Sequence, residues 1–218
     1  WIMSMEIFFW DLLLTKSSRE NRNKIYWSMN DTIAKLHNAD FKSIGLSDYG
    51  KYENYMARQI ARWSKQYKDS ETTLIPEMDN LIEWLPQNIP PGEETSIVHG
   101  DFRLDNMVFD KNSNEVIAIL DWELSTLGHP IADFTYHMMT WRMPLGVQGI
   151  GILGANLDEL NIPNENEYAD AYYQKTNRNE IHNWDFFLAY NMFRLAGITQ
   201  GIAGRVRDGT ASSDQAKQ

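Results

Sequence analysis

The stretch IVHGDFRLDNMVFD, residues 97–110, followed by EVIAILDWE at 115–123, constrains this chain more than any other. TSIV, MVF and VIAIL are apolar runs too short for helices, bounded by polar residues and rich in β-branched side chains, so they read as short strands. The intervening DKNSN at 110–114 has turn chemistry, because Asp and Asn side chains bond to their own backbone and tolerate left-handed φ. MVF and VIAIL then form a hairpin, and His99, Asp101, Arg103, Asn106 and Asp121 fall at strand ends. A fold built on this sequence has to gather chemistry at the open end of a small β element.

The rest of the chain is helical in pattern. Residues 18–40 place Ile25, Met29, Ile33 and Leu36 at spacings of four, four and three behind a candidate N-cap, Ser18. Residues 51–69 put Tyr52, Tyr55, Met56, Ile60, Trp63 and Tyr67 on one stripe, and Leu74, Met78, Leu81, Ile82 and Leu85 continue the period before Pro90-Pro91-Gly92. After Gly128-His129-Pro130 the helical pattern resumes at IADFTYHMMTWRM, NENEYADAYYQKT and WDFFLAYNMFRLAGITQGIAGRV. The opening WIMSME reads as a strand running into a loop, and the final RDGTASSDQAKQ as a fraying polar tail. The expected class is therefore α+β and mainly helical, with a small β-hairpin carrying the polar loop.

Composition narrows the function. A net charge of −10 argues against a phosphate-backbone binder, so no nucleic acid is expected as partner. The chain has no Cys, hence no disulfide framework, thiolate metal site or Cys nucleophile, and a reducing, cytoplasmic setting is expected. Glu6 and Asp11 interrupt the apolar start well short of a spanning length, so no membrane is expected either.

If residues 107–109 pair with 116–120, Asn106 and Asp121 come together at the open end of the hairpin. Two oxygen ligands facing one point suit Mg²⁺, which keeps several waters and phosphate oxygens in its shell. Asp101, just upstream, is free to orient or accept the proton of an attacking hydroxyl. One carboxylate as base with an Asn and an Asp on metal is the arrangement that phosphoryl transfer to an alcohol needs.

HGDFRLDN, followed by ILDWE and GHPIADF, resembles the aminoglycoside phosphotransferase and choline kinase family, which shares the protein-kinase-like fold. The Asp-to-Asn spacing is also that of H-R-D-x-x-x-x-N, with Gly100 in place of the Arg. The resemblance implies that Asp101 is the catalytic Asp, that Asn106 and Asp121 hold Mg²⁺ against the phosphates of ATP, and that His99 and Asp133 support the loop. It also implies that WIMSME is the hinge strand, whose backbone near Met3, Ser4 and Met5 meets the nucleotide. The resemblance covers one lobe of the family's two: residues 1–16 as hinge strand and entry, 17–210 as the helical catalytic C-lobe and 211–218 as a polar tail. The N-terminal lobe that clamps the nucleotide is expected to lie outside the chain, which would leave the hairpin's upper face exposed and the fragment poorly soluble. RQIARWSKQY and FRLAGITQGIAGRVRDG are most similar to the subgroup sometimes fused to acyl-CoA dehydrogenases. That points to a small-molecule hydroxyl acceptor such as a hydroxyacyl metabolite; the oligomeric state stays open.

Bland readings compete at several positions. Arg103 contacts phosphate or an acidic acceptor, or else pairs with Asp105. Trp141 and Arg142 line the acceptor pocket, unless Trp141 simply packs in the core. His37, His129, His137 and His182 read as surface or packing residues, and Arg58, Arg62 and Lys65 as a solvated helix face. GIGILG at 149–154 fits a phosphate-loop pattern, but it follows the catalytic loop and lacks the required preceding strand, so it reads as a connection. Two further functions remain open: a phosphoesterase using HGD and DWE around a two-metal centre, and a non-catalytic binding module of the same fold.

Overall fold

The computed structural model describes residues 6–7, 11–145, 151–178 and 183–210. Contacts divide the chain into two compact units, one of residues 1–51 and 94–182, the other of 52–93 and 183–218.

The first unit holds the β elements. Strand β1 (Glu6–Ile7) pairs antiparallel with β3 (Met107–Asp110), which pairs in turn with β4 (Val116–Ile119), so β3 is central in a three-stranded sheet. The hairpin is the expected one, with Met107 opposite Ile119 and Val108 opposite Ala118. Its turn forms for the expected reason: Asp110 Oδ1 accepts from the amides of Asn112 and Ser113 at 2.9 and 2.7 Å, and Asn114 takes φ +62°. Met107, Val108 and Phe109 are buried, whereas Ile117 is 52% exposed, so the apolar run of β4 is half solvent-facing. A second, two-stranded sheet joins β2 (Ser96–Val98) to β5 (Thr126–Gly128).

Helix α1 (Arg19–Asn38) starts at Ser18, whose Oγ accepts from the Asn21 amide at 3.2 Å. It buries Ile25, Tyr26, Met29 and Ile33. Its Arg22 is also buried, and the guanidinium donates to four carbonyl oxygens, those of Leu13, Leu14, Ser17 and Leu160. Buried charge is tolerated when it is fully hydrogen-bonded. After α2 (Tyr55–Ser70) and α3 (Pro76–Gln87), helix α4 spans Pro130–Met138, begins with Pro at N1 and is buried along its whole length. It packs beneath the polar loop. After α5 (Leu157–Leu160), α6 (Glu165–Lys175) brings Tyr168 and Tyr172 into an aromatic core in which Phe134 stacks on Tyr172 at 3.7 Å between centroids.

In the second unit α2 (Tyr55–Ser70), α3 (Pro76–Gln87) and α7 (Trp184–Arg207) pack together. Met56, Ile60, Trp63 and Tyr67 are buried on the stripe expected for α2, and Phe186, Phe187, Tyr190 and Phe193 are buried on α7. Two stripe members fall elsewhere. Tyr52 precedes α2 and is 37% exposed, and Leu74 precedes α3 and is 68% exposed, because each lies outside the helix that would have turned it inward. Among the described residues no helix is long and apolar enough to cross a membrane.

Candidate active site

The loop from His99 to Asn106 links β2 to β3 within the first unit. Gly100 runs at φ +85°, and a Cβ there would meet the Leu124 carbonyl oxygen at 2.8 Å, so the turn needs glycine. Beneath it, both oxygens of the Asp133 carboxylate accept loop amides: Gly100 N–H on Oδ1 and His99 N–H on Oδ2, each at 2.8 Å. His37 Nε2 donates to the same Oδ2 at 3.2 Å, and its Nδ1 meets the Tyr172 hydroxyl at 2.6 Å. Burial alone would push the Asp133 carboxyl up, but the His37 bond and charge with the two amides outweigh it and hold the group below its ordinary range.

The His99 ring is fully buried. Its Nε2–H donates to the Leu120 carbonyl at 2.9 Å, which leaves Nδ1 to accept from the Asp101 amide at 3.2 Å. These two bonds assign the tautomer. The ring thereby ties the loop to the open end of the hairpin, where Leu120 N–H also donates to the Asn106 carbonyl at 2.8 Å.

Asp101 is held from several sides. Asn106 Nδ2 donates to its backbone oxygen at 2.9 Å and to Oδ2 at 3.0 Å, while the Tyr136 hydroxyl donates to Oδ1 at 2.6 Å. With the Asn106 nitrogen committed to Asp101, its Oδ1 is the atom turned away from that bond, the atom a cation would use. Asp121 follows Leu120 directly, is exposed, takes φ +62° and makes no side-chain cap bond. An Asn oxygen and a carboxylate at one hairpin end fit Mg²⁺, a hard cation that needs few protein ligands.

Arg103 resolves toward the ion pair: Nη2 donates to Asp105 Oδ2 at 2.7 Å, and Nε lies 3.4 Å from Asp101 Oδ1. Burial opposes the guanidinium charge, but Asp101, Asp105, Tyr136 and Asp121 outweigh it and raise its pKa further. Trp141 is 4% exposed, its indole N–H donates to the Pro163 carbonyl at 3.0 Å, and its ring meets Tyr26 and Tyr168. The acceptor-pocket expectation for Trp141 thus gives way to core packing, since neither its face nor its donor is open. Arg142 pairs with Glu165 at 2.7 Å. Met3, Ser4 and Met5 lie outside the described residues, as does His182.

Two groups at the loop had no role there from the sequence: Tyr136 was not singled out, and His37, read as a surface or packing residue, instead bonds to Asp133. Tyr136 sits one turn beyond Asp133 on α4, a helical spacing that could have pointed to it. His37 lies on a distant helix and had no local signal. His129 and His137 are both buried, in keeping with packing roles. Among the described residues no three His, Cys, Asp or Glu side chains form a metal-holding group. Of GIGILG, residues 149 and 150 lie outside the described residues, while Leu153 returns against Met143 and Leu145 through backbone hydrogen bonds.

Comparison with solved structures places the fold in a class. A crystal structure from Ralstonia eutropha JMP134, provisionally described as an aminoglycoside phosphotransferase, superimposes with a TM-score of 0.93 at 53% identity, over 97% of this chain and 64% of that one. The aminoglycoside phosphotransferase APH(3'')-Id of Streptomyces rimosus, solved with ADP and streptomycin, shares the fold at a TM-score of 0.52 and 12% identity, over 82% of this chain and 65% of that one. The fold is thus that of the protein-kinase-like phosphotransferases. Residues 10–173 match the model of the Phosphotransferase enzyme family (APH), and the chain belongs to that family. It is also 39% identical over 213 residues to acyl-CoA dehydrogenase family member 10 of Mus musculus, covering 97% of this chain but only 20% of that protein.

Proposed function

We propose that this chain is the helical C-lobe of an ATP- and Mg²⁺-dependent kinase that phosphorylates a hydroxyl of a small molecule. The observation that carries the reading is the Asp101 carboxylate, gripped by Asn106 and Tyr136 on a loop whose backbone amides are pinned by Asp133. In this reading Asp101 orients the acceptor hydroxyl and takes its proton as the new O–P bond forms and the bond from the γ-phosphorus to the β,γ-bridging oxygen breaks. Asn106 Oδ1 and Asp121 hold Mg²⁺, which when bound neutralises the developing charge on the phosphate oxygens. His99 and Asp133 keep the loop in place, and Arg103 stays paired with Asp105 until an anionic group competes for it. ADP in the Streptomyces neighbour supports a nucleotide donor. Kinship with an acyl-CoA dehydrogenase family member favours a hydroxyacyl acceptor over an antibiotic.

The test is Mg·ATP calorimetry and a turnover screen against hydroxyacyl compounds, choline and aminoglycosides, using the natural polypeptide at full length. Asp121→Ala is expected to abolish Mg²⁺-dependent ATP binding. Asp101→Asn should retain binding and lose about 10²- to 10⁴-fold in kcat. A wild-type protein that binds no Mg·ATP, or an Asp101→Asn variant with full turnover, would sink the proposal.

A further inference from the structure

We infer that Tyr136 is a positioning residue for phosphoryl transfer, its hydroxyl setting the plane of the Asp101 carboxylate so that an uncommitted lone pair faces the acceptor. The inference rests on the kinase reading above and assigns a role to a side chain outside its base and metal set.

A carboxylate only accepts, so the phenol must donate, and 2.6 Å is the length of a charge-assisted O–H···O bond. Oδ2 is taken by Asn106 at 3.0 Å, and Arg103 Nε lies 3.4 Å from Oδ1. A carboxylate offers about four lone-pair sites. With one donor fixed on each oxygen, rotation about the Cβ–Cγ bond would break both bonds, so the group is held in one orientation. The Asp101 side chain is nevertheless 20% exposed, which leaves it an open edge for a ligand.

The phenol is itself held rigidly. Tyr136 is 7% exposed on α4, a helix buried throughout. The same helix carries Asp133 one turn earlier, so a single element fixes the loop twice: Asp133 holds its backbone amides and Tyr136 its reactive side chain. Positions three apart on a helix share a face, and both side chains therefore reach the loop without distortion. A group pre-organised in this way loses no reorganisation energy at the moment of transfer.

The test compares wild type, Tyr136→Phe, Asp101→Asn and the double variant, in the natural polypeptide at full length. ADP formation from Mg·ATP is followed with water as acceptor and with the best alcohol of the screen, alongside Mg·ADP affinity by calorimetry and thermal melts. Tyr136→Phe is expected to lower kcat by about 10- to 100-fold, with KM for Mg·ATP and affinity for Mg·ADP within about twofold of wild type. The double variant should be no slower than Asp101→Asn alone, because both changes act through one carboxylate. Unchanged kcat in Tyr136→Phe beside a large loss in Asp101→Asn overturns the inference and leaves the kinase reading standing. Parallel loss of kcat and Mg·ADP affinity overturns it too, since it would mark a merely structural role. Wild type forming no ADP with any acceptor overturns the kinase reading, and this inference with it.

Discussion

At Gly100 one backbone angle decides whether the loop can form. The residue needs φ +85°, and any side chain would press on the Leu124 carbonyl oxygen. Gly100→Ala is therefore expected to cost about 1–3 kcal/mol in stability and to lower activity by displacing Asp101, its neighbour. Urea unfolding and ADP formation measured side by side would check this, and wild-type values in both would contradict it. The Asp, Asn and His types of this loop were legible in the sequence because their spacing along one short segment sets where they fall. The partners of those side chains were not. His37, Tyr136 and the Leu120 carbonyl come from three other segments, and nothing in the spacing of residues 99–106 names them.

Among the elements, α6 has a support role out of proportion to its length. It delivers Tyr172 to His37 and Tyr168 to His137, at 2.6 and 2.9 Å, so two of the histidines around the loop depend on its placement. Its start is a full capping box: Asn164 Oδ1 accepts the Glu167 amide, and Glu167 Oε2 accepts the Asn164 amide, both at 3.0 Å. Asn164→Ala should cost about 1 kcal/mol, seen as a lower thermal midpoint, and an unchanged midpoint would show that packing alone fixes the helix. Helical period revealed α1, α2, α3, α6 and α7 in the sequence, and the hairpin was equally plain. Strand β5 went unread because Thr126–Gly128 has no alternation of its own and becomes a strand only by pairing with β2. Helix α4 read only as a helical pattern, and its burial on every side was not legible.

For the whole molecule, the buried histidines predict a dependence of stability on pH. Burial lowers both His129 and His137 from 6.5 to about 4. Glu94 opposes the shift at His129 while Arg178 and His37 add to it, and at His137 a bond involving the Phe102 backbone and the charge of Asp133 oppose it. The unfolded chain then binds protons below pH 6.5 that the fold refuses. Stability from keeping these rings neutral is complete above that pH and is lost as pH falls toward about 4. Each ring contributes roughly 2 kcal/mol of loss between about pH 6.5 and pH 5. Asp133 adds a more acidic limb: its contribution is present above its unfolded value of 3.8 and disappears as pH falls through its lower folded one. Urea unfolding at about pH 7 and pH 5 checks the prediction, and equal stability at the two would contradict it. His137→Gln should remove roughly half of the slope.

What the sequence determined by itself was local: the hairpin and its turn, the longer helical segments with the inward stripes of α1, α2 and α3, and the ordered set His99, Asp101, Asn106, Asp121 and Asp133. Periods of two and 3.6 residues and turn chemistry act between near neighbours, so a linear reading captures them. Tertiary structure alone decided that Arg103 pairs with Asp105, that Trp141 is buried rather than exposed to a ligand, that His37 reaches Asp133, and that the Tyr136 hydroxyl lands on Asp101. Those outcomes depend on how helices far apart in the chain pack, because a hydrogen bond forms only when packing brings donor and acceptor within about 3 Å.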